Sequence, residues 1–183
     1  MKTLIWQGIL YQSLEYFNLL SDDKSYTAES KIIGCYEDKI FAVNYSILID
    51  KNWIVQDFLI ESEINTIKSK LAGKRIQDQW EINNTISPEL NGCEFIDISL
   101  TPFTNTLPIN NLKLQESISQ KIDVLYIDIL NQQIRPVQQK YTRTASHKYL
   151  YENIENDFKA EISVDEMGLV ISYPELFEKI AEL

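Results

Sequence analysis

Apolar and polar residues alternate along most of this chain with a period of two. Within 39–49, Val43, Tyr45, Ile47 and Ile49 share one face; within 158–164, Phe158, Ala160, Ile162 and Val164 share one face and Lys159, Glu161 and Ser163 the other. Period two is the mark of a strand with one buried face. Similar segments at 3–10, 14–20, 26–33, 53–60, 64–71, 74–82, 94–100, 122–130, 134–144, 148–153 and 169–173 are expected to be strands. Tyr11-Gln12-Ser13, residues 21–25, Gly34, Asp50-Lys51-Asn52, Ala72-Gly73, Asn91-Gly92 and residues 165–168 read as the turns between them. Pro136 makes its strand an edge, or gives it a bulge, because proline donates nothing to a ladder. Only 174–183 reads as a helix, with Pro174 in a first turn and Leu176, Phe177, Ile180 and Leu183 at helical spacing. The expected fold is all-β: a highly curved antiparallel sheet, a roll or half-barrel around its own apolar face, with a short C-terminal helix.

With 183 residues, 44% of them hydrophobic, the chain suffices for one domain spanning 1–183. A second possibility is two related β halves, about 1–92 and 93–183. Residues 45–55 line up with 160–170 at an offset of 115, both being alternating strands closed by an Asp turn. A net charge of −10, with arginine only at 75, 135 and 143, argues against nucleic acid as a partner. The N-terminal apolar run is broken by Gln7 and Gly8, so no signal peptide is expected, nor any segment long enough to cross a membrane. With Cys35 and Cys93 isolated in sequence, free thiols and a cytoplasmic setting are the expectation.

Candidate chemistry centres on residues 94–114. Asp97 interrupts an alternating strand, and a carboxylate there needs a partner. A loop follows, stiffened by Pro102 and Pro108 and carrying Thr101, Phe103, Thr104, Asn105 and Thr106. Neutral hydroxyls and an amide suit sugar hydroxyls at the mouth of a cleft; they equally suit a loop that satisfies its own backbone. Gln139, Tyr141 and Arg143 share a strand face with Val137, which suits the lining of a polar cleft or a solvated outer face. Catalytic signatures are sparse. His147 is the single histidine and lies in a polar run, the five glycines are isolated, and no metal-ligand spacing is present. No cofactor or metal is therefore expected. Asp97 and Asp128 are the carboxylates an enzyme acting on a glycoside or acyl group could use.

The run 97–108, the motif Gln139-Lys140-Tyr141-Thr142, the ending 164–174, and Tyr45, Asp50 and Trp53 resemble a family of small bacterial proteins, the putative glycolipid-binding proteins. The resemblance implies a curled antiparallel sheet related to the lipoprotein carriers of the periplasm, and a glycolipid as ligand. Asn110 and Asn111 stand where many members carry arginines, which departs from an anionic-headgroup contact. The reading is then non-catalytic binding of an amphipathic small molecule, a glycolipid as the resemblance implies, without integral membrane association. The other readings are the glycoside- or acyl-processing enzyme and a protein-interaction module that takes no ligand.

Overall fold

A computed structural model describes residues 1–183. The chain forms one sheet of fifteen strands. The first eight are β1 (Lys2–Gly8), β2 (Ser13–Ser21), β3 (Ser25–Tyr36), β4 (Lys39–Asp50), β5 (Val55–Ile64), β6 (Ile67–Ile76), β7 (Gln79–Ile82) and β8 (Thr85–Ile86). The remaining seven are β9 (Phe95–Ile98), β10 (Ser119–Asp128), β11 (Gln133–Ala145), β12 (Lys148–Asn153), β13 (Lys159–Val164), β14 (Val170–Tyr173) and β15 (Phe177–Glu182). In space they run β8 to β1, then β15 down to β9. The chain therefore starts mid-sheet, builds one arm outward to β8, crosses to β9 at the opposite edge, and returns to close beside β1.

The expected all-β fold with a strongly curved sheet is what the chain adopts. The sheet is rolled far enough for its two arms to meet without pairing. Trp80 Nε1 donates to the Cys93 carbonyl at 2.9 Å and Arg75 Nη1 to the Glu94 carbonyl at 2.9 Å. Alternate residues of the strands fill the interior, among them Leu4, Trp6, Phe17, Ile47, Phe58 and Ile162, all buried. Cys35 and Cys93 are both unpaired.

Several local expectations are corrected. Residues 177–182 form β15, not a helix: β15 pairs with both β1 and β14. A helix there would leave the β1 edge without ladder partners, so tertiary pairing overrides helical spacing. The helix lies instead at α1 (Thr106–Leu112), preceded by a 3-10 turn at Phe103–Asn105. Pro108 is tolerated because it stands in the first turn, where N–H groups have no partner within the helix. One pair, β9 with β10, is parallel. The segment containing α1 is the crossover that a parallel pair requires. Ala72-Gly73 and Gly34 are not turns. A Cβ on Gly73 would lie 2.2 Å from the Phe58 ring, and one on Gly34 would lie 2.7 Å from Phe41. Both glycines lie within strands, β6 and β3, because a neighbour occupies the place of a Cβ: the Phe58 ring at Gly73, and Ser13 at 2.5 Å together with Phe41 at Gly34. The turn residues there are Asn65-Thr66, both at positive φ, and Glu37-Asp38. Pro136 faces only Leu125 of β10, since β12 begins pairing with β11 at Gln139.

The Asp50 and Asp165 turns carry the same hydrogen bonds. Asp50 Oδ1 accepts from the Asn52 and Ile54 amides, and Asp165 Oδ1 from the Met167 and Leu169 amides. Trp53 (φ 65°) and Gly168 (φ 75°) take the left-handed position in each. Helix α1 fastens to both turns with consecutive side chains. Asn110 Nδ2 donates to the Met167 carbonyl at 2.8 Å and Asn111 Nδ2 to the Asn52 carbonyl at 2.7 Å.

Candidate functional site

Strand register builds a cleft at one end of the roll. Tyr126 lies opposite Asp97 across the β9–β10 pair and opposite Arg135 across β10–β11. Directly opposed residues point to the same face, so these three form one row. Tyr141 and Tyr151 are opposed across β11–β12 in the same way. The cleft has a volume of about 240 Å³, and Tyr11, Tyr126, Tyr151, Phe158, Tyr173 and Phe177 form its aromatic wall. Its polar surface comes from Asp97, Ser99, Thr101, Asn105 and the rim residues Arg135, Asn153 and Asn156.

The rings make a continuous belt. Centroids are 6.1 Å apart for Tyr11–Phe177, 6.2 Å for Tyr173–Phe177, 6.0 Å for Tyr151–Tyr173 and 6.1 Å for Tyr151–Phe158. The hydroxyls of Tyr11, Tyr126 and Tyr173 form no hydrogen bond within the protein, leaving each free to give and to accept one. Burial pushes the Tyr11 phenol up to about 12, helped by the charges of Asp128 and Asp97. The Asp97 charge also adds to the burial that raises Tyr126, Tyr151 and Tyr173.

Asp97 lies at the base of this belt. Its carboxylate accepts from Gln139 Nε2 at 2.6 Å and from Thr104 Oγ1 at 3.0 Å. Burial raises its pKa, and these two neutral donors hold it down only in part.

The loop 101–106 is the floor of the cleft, folded into the roll. Phe103 packs on Phe17 with centroids 4.6 Å apart. Thr104 ties Asp97 to the Ile98 amide. Asn105 Nδ2 donates to the Pro102 carbonyl while Asn105 Oδ1 accepts from Tyr141 Oη at 2.8 Å. Thr106 is fully buried and its hydroxyl has no partner. Of the residues picked from sequence, Asp97, Thr101 and Asn105 reach the cleft surface. Phe103, Thr104, Thr106, Gln139 and Tyr141 are buried beneath it. Arg143 is turned away, with its guanidinium on the Leu114 and Ala145 carbonyls.

A second carboxyl supports the same floor. Glu15 on β2 is 2% exposed and accepts at one oxygen from Ser30 Oγ (2.7 Å), Tyr45 Oη (2.7 Å) and Thr101 Oγ1 (2.9 Å). Its other oxygen is buried without a partner. Burial pushes this carboxyl up to about 7, against hydrogen bonds from Tyr45, Ser30 and Thr101 that pull it down. Sequence reasoning passed over Glu15, although it shares the parity of Phe17 and Leu19. The cleft tyrosines are likewise absent from the residues picked from sequence, although Tyr151 shares its parity on β12 with buried Tyr149.

A family model described as "Putative glycolipid-binding" matches residues 3–179. The chain belongs to this family. Among solved structures, a DUF1089 family protein from Pseudomonas aeruginosa is 34% identical, with a TM-score of 0.82 over 91% of this chain and 92% of that one. No curated protein matches. In this family member the run 97–108 that carried the resemblance supplies the cleft floor and the helix that locks it. Asn110 and Asn111, where many members were expected to carry arginines, hold that helix to the two equivalent turns. No helix is long and apolar enough to cross a membrane, and no group of three or more His, Cys, Asp or Glu side chains is placed to hold a metal ion.

Proposed function

We propose that the protein binds the head group of a glycolipid or a similar amphipathic molecule in the Asp97 cleft, without catalysis. The observation that carries this is the pairing of an aromatic belt with unengaged phenol hydroxyls around one carboxylate. Aromatic faces pack on the C–H faces of a sugar ring, while hydroxyls, an amide and a carboxylate fix its orientation. The volume, about 240 Å³, lies below the roughly 300–1,000 Å³ of drug-sized pockets. It suits one ring-sized head group. The roll's interior is occupied by Phe103, Leu107 and Ile109, so acyl chains remain outside.

The enzyme reading has less support. Glycoside hydrolysis uses two carboxyl groups flanking the scissile bond. Asp97 alone lines the cleft. Asp128 closes a turn, accepting from the Asn131 amide and from Asn131 Nδ2.

Native mass spectrometry of freshly purified protein tests the proposal. The expected result is an adduct of lipid mass on the wild type that is absent from Tyr126→Ala, a variant that opens one wall. Wild-type protein that carries no adduct, and acquires none from added glycolipid micelles, contradicts it.

A further inference from the structure

We infer that the cleft is built for a head group bearing an organic ammonium, such as an amino sugar or a quaternary amine, rather than for a wholly neutral sugar. The inference rests on the head-group reading above and narrows its chemistry.

Charge comes first. Asp97 is held by Gln139 and Thr104, both neutral. An ionised carboxylate set deep in a protein ordinarily has a cation beside it, because desolvation otherwise disfavours its charge. The one cationic residue of the cleft lining, Arg135, is already paired with Glu155 across 2.5 Å. Asp128, one step along β10 from Tyr126 on the same face, adds a negative field that reaches Tyr11 and Tyr126. Counting Glu155, which pairs with Arg135, and Asp128 beside Tyr126, three carboxylates surround the cleft against one guanidinium, and Asp97 itself forms no ion pair.

The walls point the same way. Aromatic faces attract cations through the ring quadrupole, and quaternary ammonium ligands are recognised in aromatic cages on this basis. Successive rings are tilted by 34° for Tyr11–Phe177, 60° for Tyr173–Phe177 and 60° for Tyr151–Tyr173, so the belt curves around the space. The wall already takes one cation at its rim, where the Arg135 guanidinium lies 5.5 Å from the Tyr126 ring centroid. An ammonium inside the belt would meet π faces and phenol oxygens at the sides and Asp97 below.

Two pairs of soluble probes test this by isothermal titration at pH 7.5 and low salt. Glucosamine is compared with glucose, and choline with its neutral isostere 3,3-dimethyl-1-butanol. At least one ammonium probe should bind tenfold or more tightly than its neutral counterpart. A preference within the first pair assigns an amino sugar; one within the second assigns a quaternary head group. Asp97→Asn, which keeps an acceptor for Thr104, should reduce the preference below threefold. Glucose binding as tightly as glucosamine, with choline no better than its isostere, overturns the inference and leaves the head-group site standing. No binding by any of the four probes overturns both. A preference that survives undiminished in folded Asp97→Asn overturns the role given to the carboxylate. Because the wild-type comparison needs no variant, the inference stays falsifiable if Asp97→Asn fails to fold.

Discussion

At the scale of single residues, the buried polar groups decide what is structural and what is available. Glu15 is the sharper case. Its folded-state pKa of about 7 lies above the ordinary 4.5, so the folded protein holds this proton more tightly than the unfolded chain does. Stability from this group is complete below about pH 4.5, falls as pH rises, and is fully lost above about 7. The gap is worth about 3 kcal/mol. Glu15→Gln keeps an acceptor for Ser30, Tyr45 and Thr101 and cannot ionise. Its melting temperature should match the wild type near pH 4.5 and exceed it at pH 8; identical profiles at both pH values would contradict the burial argument. Asn105 is the second case. It faces the cleft, yet it also receives the Tyr141 hydroxyl. Asn105→Ala orphans that buried phenol, at a cost of roughly 1–3 kcal/mol, which is roughly 2–12 °C in a chain of this length. Thermal melts check it, and an unchanged melting temperature would leave Asn105 a ligand contact alone. The sequence makes Asp97 visible as a carboxylate between Ile96 and Ile98, and Asn105 as the one amide in a proline-bounded loop of threonines. It hid the free tyrosine hydroxyls, since a tyrosine looks the same in a core and in a cleft wall.

At the scale of elements, period-two alternation located most strands. What it misjudged was where glycine and proline act. Gly73 was expected to be a turn residue and is a strand residue over which the Phe58 ring lies. Its φ is not in the left-handed region, so replacing it with Ala should by itself stiffen the unfolded chain and help slightly. The 2.2 Å approach to Phe58 decides the sign instead. Phe58 is 2% exposed and packs on Trp80 with centroids 5.7 Å apart, so it has little room to retreat. Gly73→Ala is expected to destabilise by about 1–3 kcal/mol, read from the urea midpoint; a stabilised variant would show that Phe58 moves freely. The helix was missed for a related reason. Pro102 and Pro108 suggest an irregular loop in sequence, whereas one precedes a 3-10 turn and the other lies in the first turn of α1. The C-terminal segment has helical spacing, but its backbone is needed by the open edge of β1, and no local pattern reports such a need.

At the scale of the whole molecule, strand order makes β1 with β15 the one ladder between the arm β1–β8 and the arm β9–β15. The seam runs from Gly8 opposite Phe177 to Leu4 opposite Glu182, and Thr3 and Leu183 exchange backbone hydrogen bonds in both directions. Trp6 Nε1 adds a buried bond to the Val170 carbonyl at 2.7 Å. Residues 1 and 183 are thus neighbours in space, whereas the crossing near Gly92 is exposed, with nothing within 4 Å of that glycine's Cβ position. Two rearrangements should therefore behave in opposite ways. A circular permutant that joins 183 to 1 through a short Gly/Ser linker and opens between Asn91 and Gly92 keeps every ladder, and such exposed sites tolerate new ends. It should fold, with a far-ultraviolet spectrum like that of the parent and a single thermal transition. Deletion of residues 177–183 removes as few as seven residues but takes away both ladders of β15 and the buried Phe177 ring, which contacts Tyr11 and Tyr173. The ring alone is worth about 3–5 kcal/mol, a large share of the roughly 5–15 kcal/mol that keeps a domain folded. The truncated chain should lose its cooperative transition or aggregate through the exposed β1 edge. If instead it melted in one transition near the parent temperature, the interior contacts of α1 and its loop, not the β1–β15 seam, would be what holds the two arms together.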